Sequence, residues 1–344
     1  MDSTHSGMAR ARQAGRLTAT RRSLGAWAAI VVVTVLVAAG PAAADDEGAV
    51  ERSVMAPLAD RSLMLDVAAV DGRLVAVGER GHVLISTDGG RSWRQVEVPT
   101  RALLTAIAFA GPGVGVAVGH DSVILRTTDG GETWERVYWA PEDEAPLFDV
   151  WFADELNGVA VGAYGSRFRT FDGGVTWEFE PIGEDDWHLQ HIALADTGVL
   201  YMAAEAGMLY RSDDGGETWT ELLSPYEGSF FGVLPLAGDT VLAFGLRGHL
   251  FRSEDGGETW TEIDTGTVAI LNAGVRLGDG TIVIVGLGGT VLTSADDGRT
   301  FSLHQQPNRR GISTVVEIGD GGLVLVGEFG VRRTTLAELT ATAG

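Results

Sequence analysis

The residues of this chain able to do chemistry are carboxylates, histidines, arginines and five tyrosines, because its 344 residues include neither cysteine nor lysine. Without cysteine there are no disulfides, no thiol nucleophiles and no thiolate metal sites. His188 and His191 form a His-x-x-His pair beside Asp185 and Asp186, a donor set that suits a borderline metal. In a strand, however, a spacing of three puts the two imidazoles on opposite faces. One solvated and one core-facing histidine are therefore expected, and no metal site is assigned. His82, His120 and His249 all follow an apolar run ending in glycine, which makes them blade positions rather than catalysts. Asp88, Asp129, Asp172, Asp214, Asp255 and Asp296 recur in one phrase. A catalytic carboxyl pair is a single special arrangement, so six equivalent aspartates read as structure. No catalytic residue and no cofactor follow from these positions.

The departures from repetition lie elsewhere. Residues 139–146 carry Trp139, Glu142, Asp143 and Glu144, and residues 181–188 carry Glu184, Asp185, Asp186 and Trp187. Tyr226, Phe230 and Phe231 open the unit that follows the next interval. Loops carry function more often than the elements they join, and aromatics beside acids suit a basic, partly apolar protein partner. Trp139, Glu142, Asp143, Glu144, Asp185, Asp186, Trp187, Tyr226 and Phe230 are the expected partner-binding set.

The elements that must position these residues come from an internal repeat. Ser86-Thr87-Asp88-Gly89-Gly90-Arg91-Ser92-Trp93 returns at 127–134, 170–177, 212–219 and 253–260, with a degenerate copy at 294–301, at steps of 41, 43, 42, 41 and 41 residues between the aspartates. Ten residues before each aspartate an apolar run ends, at Gly78, Gly119, Gly162, Ala204, Gly245 and Gly286, and a seventh such mark is Gly327. Within one unit, residues 147–152, 159–161, 167–170 and 176–179 read as strands, with turns at Asn157-Gly158, Tyr164-Gly165 and Asp172-Gly173-Gly174. Four short strands per unit make a propeller blade. Seven units predict an all-β, seven-bladed propeller of four-stranded antiparallel blades over residues 45–344. The seventh unit has no aspartate phrase. Residues 48–57 stand where a fourth strand would fall one repeat before Trp93, so they are expected to close the ring as a strand of the last blade.

Each part of the phrase has a structural task. The carboxylate can accept from N–H groups of its own turn, glycine takes positive φ, and the tryptophan packs on the sheet beneath. Arg126, Arg169, Arg211 and Arg252 each precede a phrase and are expected to reach the neighbouring blade.

Residues 1–44 hold Arg10, Arg12, Arg16, Arg21 and Arg22, then an apolar stretch from Ala26 to Ala39, then Ala42-Ala43-Ala44 before Asp45. This is the order of a cleavable export signal, with cleavage after Ala44 and a periplasmic or secreted product; general secretion is the leading route, and Arg21-Arg22 after Thr20 leaves twin-arginine export as the alternative. The formal net charge is −22, a surface that repels nucleic acid and anionic lipid. A monomer with no membrane insertion after cleavage is expected.

The phrase matches the bacterial neuraminidase repeat, S-x-D-x-G-x-T-W. The longer unit from Leu147 to Trp177, with Val150-Trp151-Phe152-Ala153-Asp154-Glu155-Leu156-Asn157-Gly158 leading to Thr170-Phe171-Asp172-Gly173-Gly174, resembles the photosystem II stability/assembly factor family over roughly residues 48–336. That resemblance implies an exported or lumenal seven-bladed propeller that holds a membrane-protein precursor through its surface, with relatives linked to membrane transport systems. The partner surface it implies is basic, whereas this chain is acidic. Sialidases share the phrase but need three convergent arginines and a tyrosine nucleophile. The tyrosines here are 138, 164, 201, 210 and 226, and Tyr210 follows the strand pattern of Leu125 and Phe168. The leading reading is a non-enzymatic binding protein, and the alternative is a glycan-binding or glycan-hydrolysing propeller.

Overall fold

The computed structural model describes residues 50–183 and 185–341. The expected export signal at 1–44, its cleavage point and Glu184 lie outside them. Seven antiparallel sheets follow one another along the chain, six of four strands and one of three. In blade 3, Leu147–Phe152, Gly158–Gly162, Arg167–Thr170 and Glu178–Phe179 run from inside to outside, close to the strands read from sequence. The innermost strands of neighbouring blades pack side by side, and Ile312–Glu317 of blade 7 packs on Met64–Val70 of blade 1 to complete the ring.

The second strand of every blade is buried along its whole length or nearly so, as in Ile282–Gly286 and Leu323–Gly327. Apolar residues from its two faces enter the gaps on either side. Val75, Val77 and Val83 of blade 1 meet Leu104, Ile107 and Ala117 of blade 2, with Trp134 completing that cluster. Each box tryptophan thus fills the gap toward the preceding blade. The mark glycines are there because the neighbouring innermost strand begins against them: a Cβ on Gly119 would lie 2.1 Å from the carbonyl oxygen of Leu103.

The aspartate phrase folds as expected. In blade 2, Asp129 Oδ1 accepts from Thr127 Oγ1 at 2.8 Å and from the N–H of Thr133 at 2.9 Å, and Oδ2 accepts from Thr133 Oγ1 at 2.6 Å. The indole of Trp134 donates to Gly131 O at 2.9 Å. The aspartate bonds recur in the other copies, whereas the indole bond is made by Trp93 and Trp177 but not by Trp219 or Trp260, and hydrogen bonds from Thr218 and Ser212 draw the Asp214 carboxyl down to about 2. The arginines before the phrases do reach the next blade, but to carbonyls of its turn rather than to acids alone. Arg126 Nε donates to Gly173 O at 2.7 Å, Arg211 Nη1 to Gly256 O at 3.2 Å and Arg252 Nε to Asp297 O at 3.0 Å. In blade 3 this task falls to Arg167, which donates to Gly216 O at 2.6 Å, while Arg169 pairs with Glu180 at 3.3 Å.

Ring closure differs from the expectation. Blade 7 has three strands, ending with Gly330–Thr334. The described part of residues 48–57 is not a strand of it. Ser53 N–H donates to Val98 O at 2.9 Å, Ser53 Oγ accepts from Val98 N–H at 2.9 Å, and Gln95 Nε2 donates to Val54 O at 2.9 Å. The segment therefore lies on the outer strand of blade 1. Hydrogen bonds to Gln95 and Val98 satisfy its backbone there, and Ala56 and Ala59 still reach the core between blades 7 and 1. On the other side of blade 7 the C-terminal helix Leu336–Thr340 puts Leu339 where box tryptophans sit elsewhere.

Candidate functional site

Antiparallel order sorts the loops onto two faces. Connections from the first to the second strand lie with the aspartate phrases, as the bond from Gly173 N–H to Leu156 O at 2.9 Å shows. Inter-blade loops share the opposite face with the turns between second and third strands, joined by bonds such as Gly165 N–H to Trp187 O at 2.9 Å and Gly81 N–H to Ala102 O at 2.9 Å. Residues 139–146 and 181–188 therefore occupy one face, over blades 2 to 4.

In the first of these loops, Pro141–Asp143 forms a short 3₁₀ turn that ends at Glu144 in the left-handed region. Glu142, Asp143 and Glu144 are exposed. Trp139 is 49% exposed, with the guanidinium of Arg136 4.3 Å from its ring centre, so a large apolar surface is held in a fixed pose. In the second loop, Asp185 and Asp186 are exposed and Trp187 is half-buried, with a buried indole N–H that has no partner among the described residues. Tyr226 is also half-buried. Its hydroxyl donates to Leu246 O at 3.0 Å and its ring lies 5.5 Å from Phe230 and 4.5 Å from His249. Phe230 departs from the expected set. It is completely buried in the gap between blades 4 and 5, because it is the first residue of an innermost strand, a position whose side chain is buried in all seven blades.

The face also carries aromatics that the sequence reading passed over. Tyr164 is 56% exposed and takes φ of +54° at a turn position held by Arg80, Asp121, Ala206 and Arg247 in other blades. Its ring lies 5.0 Å from that of His188, and Phe148 stacks on the same imidazole at 5.9 Å. Aligning the turns by their mark glycines would have exposed Tyr164 as the aromatic exception. His188 Nδ1 lies 2.6 Å from Glu205 Oε1, whereas His191 Nδ1 accepts from Val233 N–H at 3.4 Å. The two histidines thus serve different partners. His82 and His249 share a place after the mark glycine, but His120 sits three residues earlier in its own turn and is exposed. On the box face blade 3 is again exceptional, exposing Leu156, Phe171, Val175 and Phe179.

Beneath the loops the axial channel opens. In every blade the pairing of the innermost strand slips at its second residue. These residues, among them Leu65, Thr105, Phe148, Gln190, Asn272 and Ser313, line a cavity of about 390 Å³. One residue deeper stand Asp66, Asp149 and His191. Asp66 Oδ2 accepts from Ile107 N–H at 2.9 Å and Asp149 Oδ2 from Ile192 N–H at 2.7 Å, each across a blade boundary. Burial dominates despite these bonds and pushes Asp66 up to about 6 and Asp149 up to about 7. Desolvation likewise lowers His191. These groups tie blades together through backbone N–H groups.

A family profile described as the photosynthesis system II assembly factor YCF48 matches residues 85–145 and 140–326. Among solved structures, one described as YCF48 bound to D1 peptide is similar at 18% identity and a TM-score of 0.66, covering 83% of this chain and 96% of that one. YCF48 from Cyanidioschyzon merolae is similar at 17% identity and a TM-score of 0.65, over 80% and 96% of the two chains. Virginiamycin B lyase from Staphylococcus aureus is 12% identical with a TM-score of 0.69, over 80% and 94%, so the same fold also serves an enzyme. No curated protein matches the sequence.

Proposed function

The chain belongs to the YCF48 photosystem II assembly factor family, and from that premise we propose that it is an exported, non-enzymatic propeller that holds a segment of a partner protein on its inter-blade face. The partner class is a membrane-protein precursor or a component of a transport complex. A similar structure holds a peptide, which supports a protein segment as the ligand. The observation that carries the reading is the asymmetry of one face. Exposed carboxylates at 142–144, 185 and 186 share this face with Trp139, Tyr164 and the half-buried Trp187. Acids draw a basic segment over long range, and a posed tryptophan supplies the apolar anchor typical of interface hot spots. The channel carboxylates are consumed in bonds between blades, which fits a binding task.

The test is capture from native periplasm and membranes. Wild type is compared with a variant carrying Glu142→Gln, Asp143→Asn, Glu144→Gln, Asp185→Asn and Asp186→Asn, and with Trp139→Ala. The charge variant should recover less of the partner and lose most of the salt dependence. Trp139→Ala should weaken capture with little change in melting temperature. Equal recovery of the same partner by all three proteins would place the site elsewhere.

A further inference from the structure

The third strand of blade 7, Gly330–Thr334, is the outermost strand of its sheet, whereas in the other six blades a fourth strand covers this edge. Among the described residues, no backbone group bonds to its outer side. The N-terminal segment that would have covered it bonds to blade 1 through Ser53 and Val98. The C-terminal helix turns toward blade 6, where Leu339 O accepts from Gln306 Nε2 at 2.9 Å. A groove of about 540 Å³ remains between the bare edge and Trp93 and Arg91 of blade 1.

An exposed strand edge pairs with any suitable extended chain unless something discourages it. On the side of the groove toward blade 1, two arginines share one carboxylate, in a chain of net charge −22. Arg91 and Arg333 share a single carboxylate, Asp320, with Arg91 at 3.6 Å. Arg332 donates to the neutral Gln306 at 3.1 Å. Glu338 caps the helix through Thr334 and Thr335 and keeps its negative charge beside Arg332, and Asp60 is the other acid lining the groove. A second copy pairing antiparallel through the same strand would bring Arg332 or Arg333, according to register, opposite its own counterpart, and like charges across a strand pair are unfavourable. An acidic strand meets no such repulsion.

We propose that this edge is a strand-addition site, completing blade 7 with an extended segment of a partner protein whose face toward blade 1 carries both apolar and acidic residues, at every second position. Main-chain hydrogen bonds to Gly330–Thr334 supply the affinity, apolar side chains enter beside Trp93, and acidic ones meet Arg91 and Arg333. The site is separate from the acidic loops of blades 2 to 4 and stands or falls independently of them.

The probe is a fluorescent peptide of residues 258–264, Glu-Thr-Trp-Thr-Glu-Ile-Asp, which forms the outer edge of blade 5. It should bind the intact protein saturably and slow amide exchange at 331–334. N-methylating alternate peptide bonds should weaken it about tenfold or more through the loss of two main-chain hydrogen bonds, leaving the protein itself unaltered. Arg91→Glu, an exposed change, should weaken the unmodified peptide too. The proposal is overturned by absent binding or by equal binding of the N-methylated peptide. It is also overturned if the outward-facing amides among 331–334, those that do not bond to Leu323–Gly327, are already protected in the free protein, whether by its own termini or in a dimer.

Discussion

Replacing Asp149 by asparagine tests the channel electrostatics. Asp149 accepts from its neighbour Val150 N–H at 2.8 Å and from Ile192 N–H of the next blade at 2.7 Å, yet burial raises it from 3.8 to about 7. A carboxyl whose folded value is raised binds its proton more tightly in the native state. It contributes stability that is complete below the unfolded value and lost as pH rises through the folded one. Between pH 8 and pH 5 the native group gains a proton that the unfolded group does not, which amounts to about 2–3 kcal/mol of added stability at pH 5. Asp66, raised to about 6, adds a smaller gain of the same sign. His191 opposes both, because its lowered value makes protonation on acidification unfavourable to the fold. Asparagine keeps the shape and an acceptor but cannot titrate. Urea denaturation of wild type and Asp149→Asn at pH 8 and pH 5 isolates the aspartate from the histidine. The variant should be the more stable relative to wild type at pH 8, and should lose about 2–3 kcal/mol of the acid-side gain. An identical pH dependence in both proteins would refute the account of a carboxylate held by burial.

Three further outcomes follow from the scaffold. Trp134→Ala, in the gap between blades 1 and 2, should cost about 3–5 kcal/mol in denaturant titration, while Asp172→Ala should lower the melting temperature by unpairing the N–H groups of Val175 and Thr176; neither should reduce partner capture while the protein stays folded. Deleting residues 50–57 should speed amide exchange at Val98, whose N–H donates to Ser53 Oγ, and leave exchange at 331–334 unchanged. The reverse pattern would mean that this segment covers blade 7 after all.

Whatever depends on local chemistry was legible in the residues alone. The spacing from Gly162 to Asp172 leaves room for one turn and one strand, and Asp172 with Thr170 and Thr176 needs no distant partner to close its own turn. Repetition at 41 to 43 residues then forces the ring, since each blade buries its apolar faces only against copies of itself. The common face of residues 139–146 and 181–188 follows from strand order for the same reason. Burial within a half-known unit was not legible. Phe230 begins the fifth unit next to the exposed loops, and only its place as the first residue of an innermost strand puts it in the core.

Local pattern, in short reach, determined the seven blades, their turns, the role of the six aspartates and the loops that break the symmetry. Tertiary structure alone decided how the ring ends. Residues 50–56 are as compatible with the edge of blade 7 as with that of blade 1, and the choice rests on partners about 40 residues away in the chain, Gln95 and Val98. It also decided that Asp66 and Asp149 face an enclosed axis. Each lies one residue beyond a slip in strand pairing, and at such a slip the two-residue alternation of a strand no longer tells inside from outside.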